Sequence, residues 1–168
     1  LKNIAKVWSI HESPEYGLTV GTFSGGAYFL GENGDVKKAT RSSAELLSDS
    51  VGALFVDRDG AQWIGTQGGL SYRKRALDPI GPLAMPGAEN SRIRSIYQAQ
   101  DTTIWVLSIG WLGQFNADAE LLKMYDFNST PGMDCKSWAS SFVLLEHAIL
   151  VGCENGLVLL DRHSGAFI

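Results

Sequence analysis

The sequence predicts an all-β chain of about four repeats, each a four-stranded antiparallel meander. Three observations predict it: a tetrad that recurs at even spacing, short β-branched or aromatic runs on either side of it, and the lack of any sustained helical spacing. The tetrads are Thr19-Val20-Gly21-Thr22, Trp63-Ile64-Gly65-Thr66, Trp105-Val106-Leu107-Ser108 and Leu150-Val151-Gly152-Cys153. Their third positions lie 44, 42 and 45 residues apart. A period of about 40–45 residues holding four strand-sized pieces is that of a β-propeller blade.

The elements follow in order. The first blade, residues 4–44, reads VWSI (7–10), the tetrad, AYFL (27–30) and DVKKA (35–39). The second, 45–88, reads ALFV (53–56), the tetrad, LSYRK (70–74) and PIGPLA (79–84). The third, 89–136, reads RSIYQ (94–98), the tetrad, LGQF (112–115) and LLKMY (121–125). The fourth, 137–168, reads SFVLL (141–145), the tetrad, LVLLD (157–161) and the terminal AFI. Gly, Asn and Asp punctuate these runs, as hairpin turns require. In DRDG (57–60) and QGG (67–69), Gly60 and Gly69 supply positive φ at little steric cost. Only SSAELLSD (42–49) could make a helical turn. ALFV is continuously apolar rather than alternating, so its sheet needs cover on both faces, which neighbouring blades supply. Trp63 and Trp105 share one repeat slot and are expected between blades.

The stretch from Val51, V-x-A-L-x-x-D-R-D-G-x-x-W-I-G-T-x-G-G-L, resembles the two-component regulator propeller repeat. The match is strong over 51–73, fair over 16–30 and weak over 94–116 and 141–161. The resemblance implies part of an extracytoplasmic, periplasmic sensor of the kind joined to bacterial histidine kinases, hybrid two-component proteins and some cyclic-dinucleotide enzymes. It implies rings of six to eight blades and repeat residues that are structural, so no catalytic residue carries over and no cofactor is implied. Four blades then make a partial propeller, or a ring completed by another chain, a homo-oligomer included.

Composition narrows the rest. The 168 residues carry a formal charge of −4, which offers no basic footprint for nucleic acid. No apolar run approaches the roughly 18–20 residues of a membrane span. Cys135 and Cys153 are expected as unlinked thiols, because Cys153 fills a slot held by small residues elsewhere. A bridge between them would contribute about 3 kcal/mol.

In a meander, alternate turns fall on opposite rims. One rim collects Glu12, Asp57, Asp59, Asp101 and Glu146 with His11, His147 and His163. Its carboxylates read as caps of tight turns, and its histidines lack metal-ligand spacing. GTFSGG and GTQGG lack the Lys and following helix of a phosphate loop. The other rim carries the second-to-third turns and the long connections, where binding residues collect. Its candidates for a small molecule, a saccharide among them, or a protein partner are Phe23, Gln67, Trp111, Glu154, Arg92 and Trp138. Trp111 stands where Gly26, Gly69 and Gly156 stand in the other repeats, so its turn must differ and its ring is a candidate rim aromatic. The expected function is non-catalytic binding within a sensor. The alternatives are a metal-dependent lyase-type propeller enzyme and a structural or assembly module.

Overall fold

Strands dominate because the β-branched and aromatic runs are too short and too evenly interrupted to wind a helix, and none occurs among the described residues. The computed structural model describes residues 6–31, 33–85, 91–129, 135, 139–166 and 168. The chain divides into two units, Leu1–Ile96 and Tyr97–Ile168.

In the first unit, β1 (Val7–Ser13), β2 (Gly17–Thr22), β3 (Ala27–Leu30) and β4 (Val36–Ala39) form one antiparallel sheet in chain order. A second sheet repeats it with β5 (Val51–Val56), β6 (Gln62–Thr66), β7 (Gly69–Arg73) and β8 (Gly81–Pro82). The DRDG turn closes with Asp57 N donating to Ala61 O at 3.0 Å and Gly60 N to Asp57 O at 3.1 Å. Gly60 sits at φ 82° and Gly69 at φ 132°, the conformations expected of them. Thr66 Oγ1 donates to Gly69 O at 2.9 Å and accepts from Gly68 N at 3.1 Å. Thr22 binds Gly26 O and Gly25 N in the same way. In the first two repeats the hydroxyl closing the tetrad therefore ties the next turn.

Strand β9 (Ile93–Gln98) straddles the boundary between the units. It heads a sheet with β10 (Ile104–Ser108), β11 (Trp111–Phe115) and β12 (Leu121–Asp126). The last sheet holds β13 (Ala139–Leu144), β14 (Ala148–Cys153) and β15 (Gly156–Asp161). Each recurring tetrad lies in the second strand of its sheet.

Three expectations need correction. Segment 42–49 forms turns with Ala44 at φ 61°, not a helical turn, because Leu46 N reaches back to Thr40 O instead of continuing a helical ladder. The terminal run is no strand among its described residues. Asp161 N still donates to Ala166 O at 2.8 Å and Ile168 N to Leu159 O at 2.9 Å. The cysteines are bridged: Cys135 and Cys153 form a disulfide with Cα atoms 5.3 Å apart. Cys153 takes the slot of Thr22 and Thr66, so a covalent bond to the preceding connection stands where those hydroxyls tie a turn.

Each unit has its own core. In the first, Ala27, Ala39, Leu46, Val51, Ile64 and Ile80 pack between the first two sheets. In the second, Trp105, Leu107, Leu112 and Tyr125 pack against Ile149, Val151, Val158 and Leu160. Trp105 thus lies between the third and fourth sheets, stacked on Tyr125 with centroids 5.9 Å apart. Trp63 is fully buried, edge-on to Tyr72. Each such side chain contributes roughly 1.5–3 kcal/mol.

Candidate functional site

Three of the rim carboxylates, Asp57, Asp101 and Asp161, are occupied by their own turns. Asp57, 5% exposed, accepts from Asp59 N, Ala61 N and the Trp63 indole, the last at 2.8 Å. Asp101 accepts from Thr103 N and Oγ1, and Thr103 Oγ1 in turn accepts from the Trp105 indole at 3.0 Å. The Thr103 hydroxyl is the main reason that Asp101 titrates below the usual carboxylate range; Arg162, 3.1 Å away, adds to it. Asp161 accepts from His163 N, Ser164 N and Ser164 Oγ. These groups organise hairpins and position the anchor tryptophans.

The histidines take different places. His11 lies within β1, opposite Thr19, not in a turn as expected, and burial lowers its pKa. The pairing of β1 with β2 carries on through it to Ser13. His147 and His163 line one open hollow with Glu146, Asp161, Lys123, Gln114 and Arg162. His147 and Glu146 are both almost fully exposed, and Asp161 is engaged in its own turn. Among the described residues, no group of three or more His, Cys, Asp or Glu could hold a metal ion.

Two of the candidates, Gln67 and Arg92, come together elsewhere, in the first unit. A cleft of about 180 Å³ is lined by Trp8, Gly52, Gln67, Arg92, Ile93 and Arg94. Its geometry comes from a repeated irregularity. Strand β1 is bulged between Val7 and Ser9, β5 between Val51 and Ala53, and β13 between Ala139 and Ser141. Bulges re-aim a side chain. The bulge slot holds Trp8 in the first repeat and Gly52 in the second; the sequence frame puts Arg94 in the third and Ser140 in the fourth. In this cleft, Trp8 and Arg94 form walls and Gly52, with no side chain, leaves the space between them.

Phe23 extends the aromatic wall, its ring 4.7 Å from that of Trp8 and edge-on to it. Ser50 ties the two turns of this rim together. Its hydroxyl donates to Phe23 O, and its carbonyl accepts from Gln67 N at 2.9 Å. Gln67 and Arg92 thus share the cleft, and Phe23 borders it through Trp8. The Nε and Nη2 atoms of Arg94 are buried. Burial, and after it the charge of Arg92, pulls the Arg94 guanidinium below its usual range.

The remaining candidates differ. Glu154 is exposed in the β14–β15 turn of the second unit. Trp138 lies outside the described residues. Trp111 corrects the expectation of a rim aromatic: it is only 4% exposed, opens β11 opposite Asp126, and lies over Gly113. It has no positive φ, so its turn does differ from those of Gly26, Gly69 and Gly156. Trp8, Gly52 and Arg94 were missed by sequence reasoning. The signal was there in the dipeptides Val7-Trp8, Val51-Gly52, Ile93-Arg94 and Ala139-Ser140, where a constant apolar position precedes a varied one.

These sheets define a β-propeller-type repeat protein. No protein-family model matches the sequence, and no curated protein matches it. Solved structures do. The extracellular domain of BT4673 from B. thetaiotaomicron, described as a one component system, aligns with a TM-score of 0.73 at 16% identity, over 97% of this chain and 23% of that one. The extracellular domain of BT3049 from the same organism, described as a hybrid two component system, aligns at 0.66 and 24% identity, over 96% and 21%. A streptogramin B lyase aligns at 0.63 and 16% identity, over 99% and 58%. At such identities the likeness is one of fold, and the chain spans less than a quarter of the length of either extracellular domain. No helix among the described residues is long and apolar enough to cross a membrane.

Proposed function

We propose that the chain is a non-catalytic binding segment of an extracytoplasmic bacterial signal-sensing protein, with the Trp8–Gln67–Arg92–Arg94 cleft as its recognition surface for a small molecule such as a saccharide. The observation that carries the reading is that cleft: aromatic, amide and guanidinium groups from three repeats converge where only β-bulges and Gly52 make room. Few polar groups on an aromatic wall are the usual makings of a ligand site. The extracellular neighbours and the Cys135–Cys153 bridge support the compartment, since disulfides persist in oxidising surroundings. Calorimetric titration of a saccharide panel against wild type, Trp8→Ala and Phe23→Ala tests it. Binding is expected in the wild type and lost in Trp8→Ala with folding intact. Equal affinity in all three chains would remove the cleft from the binding function.

A second reading, assembly, is favoured by another observation. The first sheet leaves Ile10 64%, Val36 49% and Leu18 37% exposed on one face, and the last leaves Val143 55% and Leu157 72% exposed. These faces match the buried ones in composition and are available to a second copy of the chain. Light scattering should then show mass rising with concentration from 18.2 kDa toward twice that value. A constant monomer mass at high concentration refutes it.

A further inference from the structure

We infer that the chain joins a second copy of itself head to tail, the open face of its last sheet lying on the open face of the other copy's first sheet. The inference names the surfaces that meet and rests on the assembly reading.

Opposite residues of paired strands share a face of the sheet, and successive residues of one strand do not. In the last sheet, Ile149, Val151, Val158 and Leu160 pack against the third sheet. Leu150 therefore faces the other way with its cross-strand partners Val143 and Leu159, and so does Leu157. In the first sheet, Ala27, Ala39 and Phe29 pack toward the second. Its open face holds Ile10, Val20 and Tyr28 in one cross-strand row and Leu18, Leu30 and Val36 in the next. Ile10 and Leu157, 64% and 72% exposed, leave both faces uncovered. Contiguous apolar surface of this kind marks an interaction site.

The repeat frame makes these faces the two halves of an interface that the chain already contains. Counted from the tetrads and from the turn positions Gly26, Trp111 and Gly156, Leu150 and Leu157 fill the slots of Trp105 and Leu112, which cover the last sheet. By the same count Leu18, Val20, Tyr28 and Leu30 fill the slots of Ile149, Val151, Val158 and Leu160, which are the residues covered. Tyr97 meets Phe142 edge-on with centroids 6.3 Å apart. Counted from the first residues of β1, β9 and β13, Val143 holds the Tyr97 slot and Ile10 the Phe142 slot. Val143 of one copy is thus placed against Ile10 of the other. Glu12, in the slot of Leu144, is the one charge among the matched positions, and it lies toward the end of β1. Each open face finds its matching half at the opposite end of the same chain, so a second copy supplies it. The contact is heterologous, because like faces would bring together slots that never meet within the chain.

Light scattering on Ile10→Asp, on Leu157→Asp and on their equimolar mixture tests the inference, at a concentration where the wild type associates. The first variant keeps only the last-sheet face intact, the second only the first-sheet face. Each alone is expected to stay at 18.2 kDa, and the mixture to give a one-to-one complex of twice that mass. Circular dichroism checks folding, and Val36→Asp with Val143→Asp, both exposed on the same two faces, repeats the experiment at independent positions. A single variant that still associates with itself overturns the head-to-tail contact and leaves assembly standing. A mixture that stays at 18.2 kDa while the wild type associates overturns the contact as well. A wild type that never exceeds the monomer mass overturns both the inference and the assembly reading, and leaves these faces to a different occupant.

Discussion

Replacing Trp63 by alanine is expected to destabilise the first unit by about 3–5 kcal/mol, the range for emptying a buried aromatic site. Trp63 is fully buried, contacts Tyr72 edge-on and donates its indole N–H to Asp57 at 2.8 Å. Asp57 is itself 5% exposed and caps the DRDG turn through two further hydrogen bonds. Removing the indole therefore opens a cavity and takes a donor from a buried carboxylate at the same time. Trp63→Phe separates the two effects. It keeps most of the apolar volume and loses the donor, so it should fall about 1–3 kcal/mol below wild type. Urea unfolding of the three chains measures both steps. If Trp63→Phe were as stable as wild type, the Asp57–indole bond would have no structural role.

Loss of the Cys135–Cys153 bridge is expected to cost about 3 kcal/mol for a loop of this length, the two residues being 18 apart in sequence. Cys135 is 2% exposed within the core of the second unit, alongside Trp105 and Ile149. The bridge pins to that core a connection that leads into β13. Cys153→Ser, Cys135→Ser and the double variant should all lose about the same stability, because each removes the same bond. Reduced wild type should behave like them. Urea unfolding with and without dithiothreitol reads the effect directly. A wild type indifferent to reductant would show that the bond contributes nothing.

The repeat was readable because propeller sheets are built from local pattern. Short β-branched and aromatic runs and the DRDG and QGG turns each depend on residues within a few positions of one another, and the Trp63 and Trp105 slot recurs with the repeat. Hence the tetrads fall on the second strands, and Gly60 and Gly69 adopt the conformations that their turns demand. Local pattern could not tell that β1 continues through His11 to Ser13. Strand ends are set by pairing with β2, not by composition.

Binding residues were only half readable. Phe23, Gln67 and Arg92 could be placed on one rim from the order of turns alone. That Trp8 and Arg94 join two of them around Gly52 depends on bulges in β1 and β5, and a bulge is a mismatch between strands that neither strand shows by itself. Trp111 failed in the other direction. Its place at a glycine slot suggested an exposed ring, yet whether a ring at a turn is covered is settled by what packs over it, and it is 4% exposed. The disulfide follows the same logic, since Cys153 has the spacing of a small-residue slot and only the return of Cys135 to the same core makes it a bridge. What the chain's own order dictated here is the local part: strands, turns, anchor slots and the rim on which each loop emerges. What came from folding is every feature made by residues far apart in sequence, the cleft and the bridge above all, because contacts between separate strands leave no mark in either strand alone.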